Sequence, residues 1–171
     1  MRHCRTDPVS GRKIKTAGEL AGIIPRLKSQ GKKIVFTNGC FDLLHYGHVR
    51  YLEDARRKGD ILVVAVNSDA SMRRIKGKCR PLVAGRDRLG IIAGLESVDY
   101  VLLFNEDTPL KIIQALKPDV LVKGSDWNIT SIVGADFVRC HGGKVATATL
   151  VPGRSTTNLI KKIAQKFSGK K

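Results

Sequence analysis

The feature that most constrains the fold is a series of short apolar runs separated by segments of helical spacing. Five runs have the length and composition of buried strands, at residues 34–36, 61–66, 100–104, 120–122 and 144–151. Amphipathic patterns fill the intervals, as in residues 87–98, where leucine and isoleucine recur at helical spacing. Such alternation is typical of a parallel sheet covered on both faces. The sequence therefore predicts an α/β fold with a parallel sheet of about five strands and helices on both faces.

Capping signals predict where several helices begin. An amphipathic pattern indicates a helix over Ala17–Ser29. Thr108 and Pro109 have the residue types of an N-cap and a first helical position. Ser155 is predicted to cap the last helix, Thr156–Phe167, because a serine hydroxyl accepts a hydrogen bond from a free backbone N–H there.

Length and composition restrict the class of protein. The 171 residues fit one α/β domain, predicted over 16–167, with a flexible basic tail at 1–15 and a short tail at 168–171. The four cysteines are widely separated and lack metal-like spacing, so we expect neither a disulfide scaffold nor structural zinc. No run approaches the roughly 20 apolar residues of a membrane span, and the first residues lack a secretory pattern. We therefore expect a cytoplasmic protein without membrane contact.

The charge of the chain favours anionic ligands. It has 31 lysine and arginine residues against 15 acidic ones, giving a formal net charge of +16. The charge is spread over many segments, and no RNP sequence or zinc-finger spacing accompanies it. Nucleic acid is therefore not the favoured partner, although a nucleic-acid-binding protein without catalytic activity remains an alternative. An anionic nucleotide and a sugar phosphate would suffice as partners, although neither requires so large an excess of positive charge.

A glycine-containing turn with two histidines follows the first predicted strand. Residues 37–48 read TNGCFDLLHYGH, and helical spacing begins after them. A helix start there aims free N–H groups and the positive end of the helix dipole at an anion. His45 and His48 can share one face of the first turn and donate hydrogen bonds to a phosphate under attack, and Gly47 lets a nucleotide approach the backbone. A pair of surface or capping histidines is the alternative.

Several ordered blocks resemble a known family. The turn is similar to the His-x-Gly-His signature of the nucleotidyltransferase superfamily. Four further blocks follow in the order and spacing of D-glycero-β-D-manno-heptose 1-phosphate adenylyltransferases. They read VAVNSDASMRRIKGKCRP, DRLGIIAGLESVDYV, PDVLVKGSDW and GRSTTNLIKKI. The resemblance covers roughly residues 30–165, nearly the whole chain.

The resemblance implies a Rossmann-like fold and a reaction. The adenylyl group of ATP would pass to D-glycero-β-D-manno-heptose 1-phosphate, giving ADP-heptose and pyrophosphate for lipopolysaccharide core precursors. Mg²⁺ would accompany ATP, with no ligands assigned to it, and the family often forms dimers, which favours a homodimer. The residues implied as catalytic are His45, His48, Lys76 and Arg88. A solvated loop lysine and a helix-surface arginine are the alternatives for the last two.

The remaining site residues divide between the two substrates. Those expected to bind the nucleotide are Thr37, Asn38, Gly39, Cys40, Phe41, Asp42, Gly47, Lys123, Gly124, Asp126, Ser155, Thr156 and Thr157. Those expected to bind the sugar phosphate are Asn67, Asp69, Lys76 and Arg80. For Asp42, hydrogen bonds to backbone amides and a role in holding Mg²⁺ are both open. Cys40 is not expected to act as a nucleophile, because this chemistry requires none.

One block departs from the related glycerol-phosphate cytidylyltransferases. Those enzymes carry an Arg-Thr-Glu-Gly-Ile-Ser-Thr-like block, whereas residues 150–156 read LVPGRST. The missing early arginine and acidic residue favour ATP over CTP, and the resemblance implies no role for Arg154. A cytidylyltransferase, or an adenylyltransferase for another phosphorylated alcohol or sugar, remains the alternative within the superfamily.

Overall fold

Five parallel strands form one sheet at the centre of the computed structural model, which describes residues 9–168. They are β1 (Ile34–Gly39), β2 (Ile61–Asn67), β3 (Tyr100–Phe104), β4 (Val120–Gly124) and β5 (Lys144–Ala148). Their order is β3-β2-β1-β4-β5, and every neighbouring pair is parallel. The strand order therefore reverses between β1 and β4. The predicted α/β fold with a five-stranded parallel sheet is confirmed.

Eight helices surround the sheet in the described part of the chain. They are α1 (Val9–Lys13), α2 (Ala17–Ser29), α3 (Tyr46–Arg56), α4 (Asp69–Lys76), α5 (Gly85–Ala93), α6 (Leu110–Leu116), α7 (Ala135–Cys140) and α8 (Thr156–Phe167). The bounds of α2 and α8 are those predicted. Thr16 and Glu19 form a capping box at the start of α2, and the Ser155 hydroxyl accepts from Asn158 N at 3.1 Å. No helix among residues 9–168 combines the length and apolar character needed to cross a membrane.

Three strands extend beyond their predicted ends, β2 by the single residue Asn67, and one is shorter. β1 and β4 continue into polar residues, because their backbones remain paired with β2 and β5 up to Gly39 and Gly124. β5 ends at Ala148 instead of residue 151. The next amide, Thr149 N, donates to the Asp54 carboxylate at 3.0 Å and leaves the sheet ladder. Hydrophobic runs alone show neither the added polar residues of β1 and β4 nor the early end of β5.

Two predicted helix boundaries differ from those observed. The helix predicted over 87–98 spans Gly85–Ala93 and has its C-cap at Gly94. Pro109, not Thr108, is the N-cap of α6, and the helix begins at Leu110 without a side-chain capping bond. The prediction placed the proline at the first helical position, but its ψ of 7° leaves it just outside the helix.

Part of the segment predicted as a flexible basic tail is folded against the sheet. Val9–Lys13 forms α1. Lys13 Nζ donates to Leu95 O at 2.9 Å, and Ile14 forms a bridge with Val101 of β3. The remainder of that tail, residues 1–8, lies outside the described residues, as do residues 169–171 of the predicted C-terminal tail.

Side chains of the central strand alternate between two apolar clusters, one on each face of the sheet. Ile34 and Phe36 pack with Leu20 of α2 on one face, and Val35 packs with Leu52 of α3 on the other. All five side chains are fully buried. Burying a leucine or phenylalanine stabilises the fold by about 1.5–3 kcal/mol. Packing in the two clusters holds the strands in place and thereby positions the polar residues at the strand ends.

A basic cavity of about 690 Å³ opens at the amino edge of the sheet. We call it the amino-edge cavity, and its charged lining is Lys28, Lys32, Lys33, Lys58, Lys144 and Asp119. Asp119 accepts from Lys28 Nζ and from Ile34 N, each at 2.8 Å. Helices α2, α3 and α7 end beside this cavity. Their C-termini carry partial negative charge, which nearby lysines offset.

Candidate active site

A second cleft, of about 610 Å³, lies at the carboxyl edge of the sheet. It crosses the point where strand order reverses between β1 and β4, the usual ligand site of such sheets. Three predicted site residues do not line it, namely Thr37, Asp69 and Arg88. The predicted residues that do line it are Asn38, Gly39, Cys40, Phe41, Asp42, His45, Gly47, His48, Asn67, Lys76, Arg80, Lys123, Gly124, Asp126, Ser155, Thr156 and Thr157.

His45 and His48 stand together at the start of α3. His45 is the N-cap, and His48 N donates to His45 O at 2.9 Å. The two rings are stacked, with centroids 3.8 Å apart and planes at 16°. The Nδ1 atom of each ring is buried and has no hydrogen-bond partner among the described residues. The rings therefore share one face of the first turn, as the spacing predicts.

Both histidines are neutral near pH 7. Burial, together with the neighbouring charge of His45, lowers the pKa of His48 to about 4. Burial and the positive charge of Arg154 also lower the pKa of His45. A neutral imidazole still carries one N–H, so each ring can donate one hydrogen bond. The pair can thus donate hydrogen bonds to an anion while both rings remain uncharged.

Phe41 supports the histidine turn from an unusual backbone conformation. Its φ of 46° lies in the left-handed region, which costs a non-glycine residue roughly 1–2 kcal/mol. The ring is buried and meets the His48 ring edge-on, with centroids 5.4 Å apart. This packing offsets the backbone cost and limits the orientation of His48.

Gly47 allows the start of α3 to pack closely against a second segment. A β-carbon at this position would lie 3.0 Å from His45 Nδ1 and 3.1 Å from Arg154 Cβ. Either neighbour would have to move for any larger residue to fit. Gly47 thus keeps the histidine pair and the start of α8 side by side.

Asp42 anchors the basic loop that follows α4. Its carboxylate is 3% exposed, and Oδ2 accepts from Arg80 at 2.7 Å. Oδ1 accepts from the backbone amides of Leu82 and Val83, each at 2.9 Å. Because both oxygens are occupied, the alternative in which Asp42 holds Mg²⁺ does not fit. No group of three or more His, Cys, Asp or Glu residues within 9–168 is placed to hold a metal ion.

Arg88 holds two loops together from a buried position behind the cleft. Its side chain is 0% exposed, and Nε donates to Val83 O at 2.9 Å. The two terminal nitrogens donate to Cys40 O at 2.6 Å and to Asp69 Oδ1 at 2.7 Å. The guanidinium is fully buried and outside the cleft lining, so its position does not support the predicted phosphate contact. Asp69 is the counter-ion of Arg88 and also lies outside the cleft lining, so its position does not support the predicted sugar contact.

Thr37 lies beneath the cleft and pairs with a residue that the sequence did not single out. Its hydroxyl is 2.6 Å from Tyr51 OH, and Tyr51 OH donates to Val122 O at 3.3 Å. Burial raises the pKa of Tyr51 to about 12. The apolar spacing of α3 marks position 51 as buried but gives no sign of this bond, which ties α3 to β1 and β4.

Lys123 brings a buried amine to the end of β4. Its Nζ bonds to the carbonyl and side-chain oxygens of Asn38 and lies 5.6 Å from the centre of the Trp127 ring. Burial lowers the pKa of Lys123 to about 8, although nearby Cys40 and Asp126 act to raise it. The amine is thus largely protonated at pH 7 and placed across from the histidine turn.

The Cys40 thiol is not activated. Burial raises the pKa of Cys40, although nearby cations act to lower it. Its Sγ is 3.9 Å from Asn67 Oδ1, and Asn67 Nδ2 donates to Ser71 Oγ at 3.0 Å. A thiol with a raised pKa is a poor nucleophile at neutral pH, in agreement with the expectation from sequence.

A family model for cytidylyltransferase-like domains matches residues 36–162, which include most of β1, the histidine turn, the other four strands and the start of α8. The chain belongs to the cytidylyltransferase-like family. Its curated relatives include Bifunctional protein HldE of Geobacter metallireducens, 56% identical over 158 residues, which are 92% of this chain and 32% of that protein. The same protein from Magnetococcus marinus is 55% identical over 82% of this chain and 29% of its own length. The chain thus spans about a third of these relatives.

Solved structures agree with the cytidylyltransferase-like fold. The lipopolysaccharide core biosynthesis protein of Thermoplasma volcanium is 32% identical, with a TM-score of 0.57 over 71% of this chain and 98% of that one. Pantoate-beta-alanine ligase of Francisella tularensis is 17% identical, with a TM-score of 0.59 over 84% of this chain and 68% of its own. At that identity the ligase supports the fold alone.

Within this cytidylyltransferase-like domain, several further residues line the cleft. Trp127, the last residue of the block PDVLVKGSDW, does so while half exposed. Arg154, for which the resemblance implies no role, lies beside the histidines. Apolar side chains from distant parts of the chain complete the wall, namely Met72, Ile75, Val133, Leu150 and Val151. Only the folded chain brings them together, so no local pattern could have identified them.

Proposed function

We propose that this chain transfers the adenylyl group of ATP to D-glycero-β-D-manno-heptose 1-phosphate, giving ADP-heptose and pyrophosphate for lipopolysaccharide core precursors. The observation that carries the proposal is the stacked pair His45 and His48, which aims donors into a cleft with Lys76 and Lys123. The HldE relatives and the lipopolysaccharide core biosynthesis neighbour support the choice of sugar.

Two helix N-termini and one lysine suit the triphosphate, and a second lysine suits the sugar phosphate. α3 and α8 both begin at the cleft, and each offers free N–H groups and the positive end of its dipole. Lys123 is on the β4 side, and Lys76 is at the end of α4. The adenine base fits the less polar wall near Trp127 and Leu150. Arg80 and Lys76, on the loop that Asp42 anchors, suit the sugar phosphate.

The reaction is a direct displacement. A phosphate oxygen of the sugar 1-phosphate attacks the α-phosphorus of ATP and forms the new P–O bond. The bond from the α-phosphorus to the oxygen that bridges to the β-phosphate breaks, and its electron pair leaves with pyrophosphate. No protein nucleophile takes part, which is consistent with the raised pKa of Cys40. Catalysis consists of aligning two anions and stabilising the charge between them.

The histidines contribute as neutral donors. As the attacking and leaving oxygens share the α-phosphorus, negative charge shifts onto its other oxygens. Donors already aimed at those oxygens stabilise the transition state more than the ground state. His48 remains neutral down to about pH 4, so its contribution is constant across the physiological range.

Mg²⁺ enters this proposal as part of the ATP substrate. A divalent ion bound to the triphosphate neutralises part of its charge. Asp42 is fully engaged by the basic loop. The triphosphate and water would therefore supply most of the ligands to the ion. We further propose that the enzyme acts in the cytoplasm as a homodimer.

The decisive experiment compares nucleoside triphosphates with heptose 1-phosphate as the acceptor. Purified protein is incubated with ATP, CTP, GTP or UTP, and pyrophosphate release is combined with product identification by mass. We expect ADP-heptose with ATP well above the others, since a pyrimidine would leave base-reading groups unpaired at about 1–3 kcal/mol each. A preference for CTP would replace the adenylyl assignment with a cytidylyl one.

A panel of other phosphorylated sugars and alcohols tests the acceptor in the same assay. His48→Ala serves as the control that excludes a contaminating activity. No release with any triphosphate across the acceptor panel, together with binding of RNA or DNA at moderate salt, would favour the non-enzymatic alternative.

A further inference from the structure

Arg154 stands where the N-termini of two helices meet. It directly precedes Ser155, the N-cap of α8, and lines the cleft. Its Cβ is 3.1 Å from the place where a β-carbon on Gly47 of α3 would lie. The free N–H groups of both helices therefore face the region beside Arg154. A guanidinium between two positive helix ends is unfavourable unless an anion joins it.

Arg154 has no counter-ion within the described range 9–168. Arg80 is paired with Asp42, and Arg88 is paired with Asp69. The ion pairs found in this part of the chain do not include Arg154, and its side chain is exposed. Of these three arginines beside the histidine turn, Arg154 is the one whose guanidinium remains open to a ligand.

The cations of the cleft fall into two groups that act on different residues of the histidine turn. Lys76 and Arg80 act electrostatically on Cys40. Arg154 acts on His45 and lowers the pKa of that ring. The proposed reaction brings two anions to one phosphorus atom from opposite directions. Two separate groups of cations suit that requirement, with Lys76 and Arg80 at the anchored basic loop as one group and Arg154 beside Gly47 as the other.

We propose that Arg154 is a catalytic residue that binds the part of ATP that leaves as pyrophosphate. This inference rests on the proposed function. As the bond to the bridging oxygen breaks, charge grows on the leaving group, and the guanidinium stabilises it with paired hydrogen bonds to phosphate oxygens. No proton moves, because arginine stays charged throughout. Lys76 and Arg80 then serve the attacking sugar phosphate.

Steady-state kinetics of two variants test this role. Arg154→Ala should lower kcat about a hundredfold, as expected for loss of a group that contacts developing charge. The KM for the sugar 1-phosphate should change less than about threefold, because this proposal assigns the sugar phosphate to Lys76 and Arg80 and not to Arg154. Arg154→Lys should recover part of the loss, since it keeps the charge but not the paired hydrogen bonds. Wild-type kcat in Arg154→Ala would overturn the proposal.

Arg50→Ala is the matched control. Arg50 is an exposed arginine of α3, paired with Glu53 at 2.8 Å and absent from the cleft lining. Its removal should change kcat and both KM values by less than about twofold, since exposed pairs contribute little. A loss in Arg50→Ala equal to that in Arg154→Ala would show a general charge effect and would also overturn the proposal.

A binding measurement separates this inference from the reaction itself. Calorimetric titration with pyrophosphate and with AMP requires no turnover and no sugar. Arg154→Ala should weaken pyrophosphate binding at least about tenfold and AMP binding less than about twofold. If no triphosphate supports turnover but this difference is found, the proposed function fails while the phosphate contact stands. If turnover is found but pyrophosphate affinity is equal in the variant and the wild type, the role of Arg154 fails alone.

Discussion

The two edges of the sheet carry hollows of similar size and positive charge that differ in the helix ends around them. The amino-edge cavity measures about 690 Å³ and the carboxyl-edge cleft about 610 Å³. At the amino edge, helices end, and lysines face partial negative charge and Asp119. At the carboxyl edge, α3 and α8 begin, and the Nδ1 atoms of the histidine pair have no partner in the described structure.

The difference shows that net charge alone does not identify an anion site. At the amino edge, part of the lysine charge is offset by groups already present in the fold. At the carboxyl edge, helix dipoles and side-chain cations have the same sign, and Arg154 has no ion-pair partner among residues 9–168. The formal charge of +16 therefore divides into charge that stabilises helix ends and charge that is available to a ligand.

The largest effect should come from removing a donor at the carboxyl edge. We expect His48→Ala to lower kcat about a hundredfold, because one hydrogen bond to developing charge is lost. The Kd for ATP should change less than about threefold, since that bond contributes mainly in the transition state. Turnover and equilibrium ATP binding should be measured on the same preparation. Near-normal turnover would remove the histidine pair from the mechanism.

The pH dependence of kcat/KM for ATP tests the buried amine of the cleft. Burial lowers the pKa of Lys123 to about 8, so the amine is charged below that pH and neutral above it. We expect kcat/KM to fall above about pH 8, approaching tenfold per pH unit, as the cation that attracts phosphate is lost. Lys123→Arg should abolish this fall because arginine stays charged. The same alkaline limb in both proteins would assign the titration to another group.

A lysine of the cleft should matter through substrate binding. Lys76 is the last residue of α4, is exposed, and lines the cleft. We expect Lys76→Ala to raise the KM of at least one substrate roughly tenfold, the equivalent of about 1.4 kcal/mol, with an unchanged melting temperature. Initial-rate kinetics with each substrate varied in turn, together with thermal unfolding, provide the measurement. Unchanged KM values would make Lys76 a solvated loop lysine.

The smallest effect should come from a lysine of the amino-edge cavity. Replacing Lys144, the first residue of β5, removes the same charge as replacing Lys76. Lys144→Ala should change kcat/KM less than about twofold, because an exposed charge beyond a Debye length of about 10 Å is largely screened. The assay is the one used for Lys76→Ala. A loss as large as that of Lys76→Ala would mean that total charge, and not its location, supports binding.

Local patterns in the sequence predicted most of the fold. The start of each strand and the bounds of α2 and α8 follow from apolar runs, from the amphipathic pattern of residues 17–29 and from the capping residue Ser155. These signals span a few residues, so they are visible without tertiary structure. The polar ends of β1 and β4 were missed because strand pairing, not hydrophobicity, extends them.

The partners of individual charges could not be predicted in this way. Asp42 binds amides 40 and 41 positions further along the chain, and Arg88 binds a carbonyl 48 positions earlier. Nothing in the spacing of either residue indicates these contacts, which arise only when β1, α4 and α5 pack together. For Asp42 the sequence left hydrogen bonds to backbone amides open beside a role at Mg²⁺, and the folded chain shows bonds of that kind, with amides far along the chain. Arg88 was expected to contact phosphate, whereas the folded chain uses it to hold loops.

The buried Arg88 has a consequence for how this site can change during evolution. Two of its three acceptors are backbone carbonyls, of Cys40 and Val83, and these persist whatever side chain occupies either position. The third is the Asp69 carboxylate, which alone balances a permanently charged group with 0% exposure. Substitutions at positions 40 and 83 therefore leave these bonds of Arg88 in place, while a neutral residue at 69 would leave an uncompensated charge. Among relatives, positions 69 and 88 should be retained or lost together.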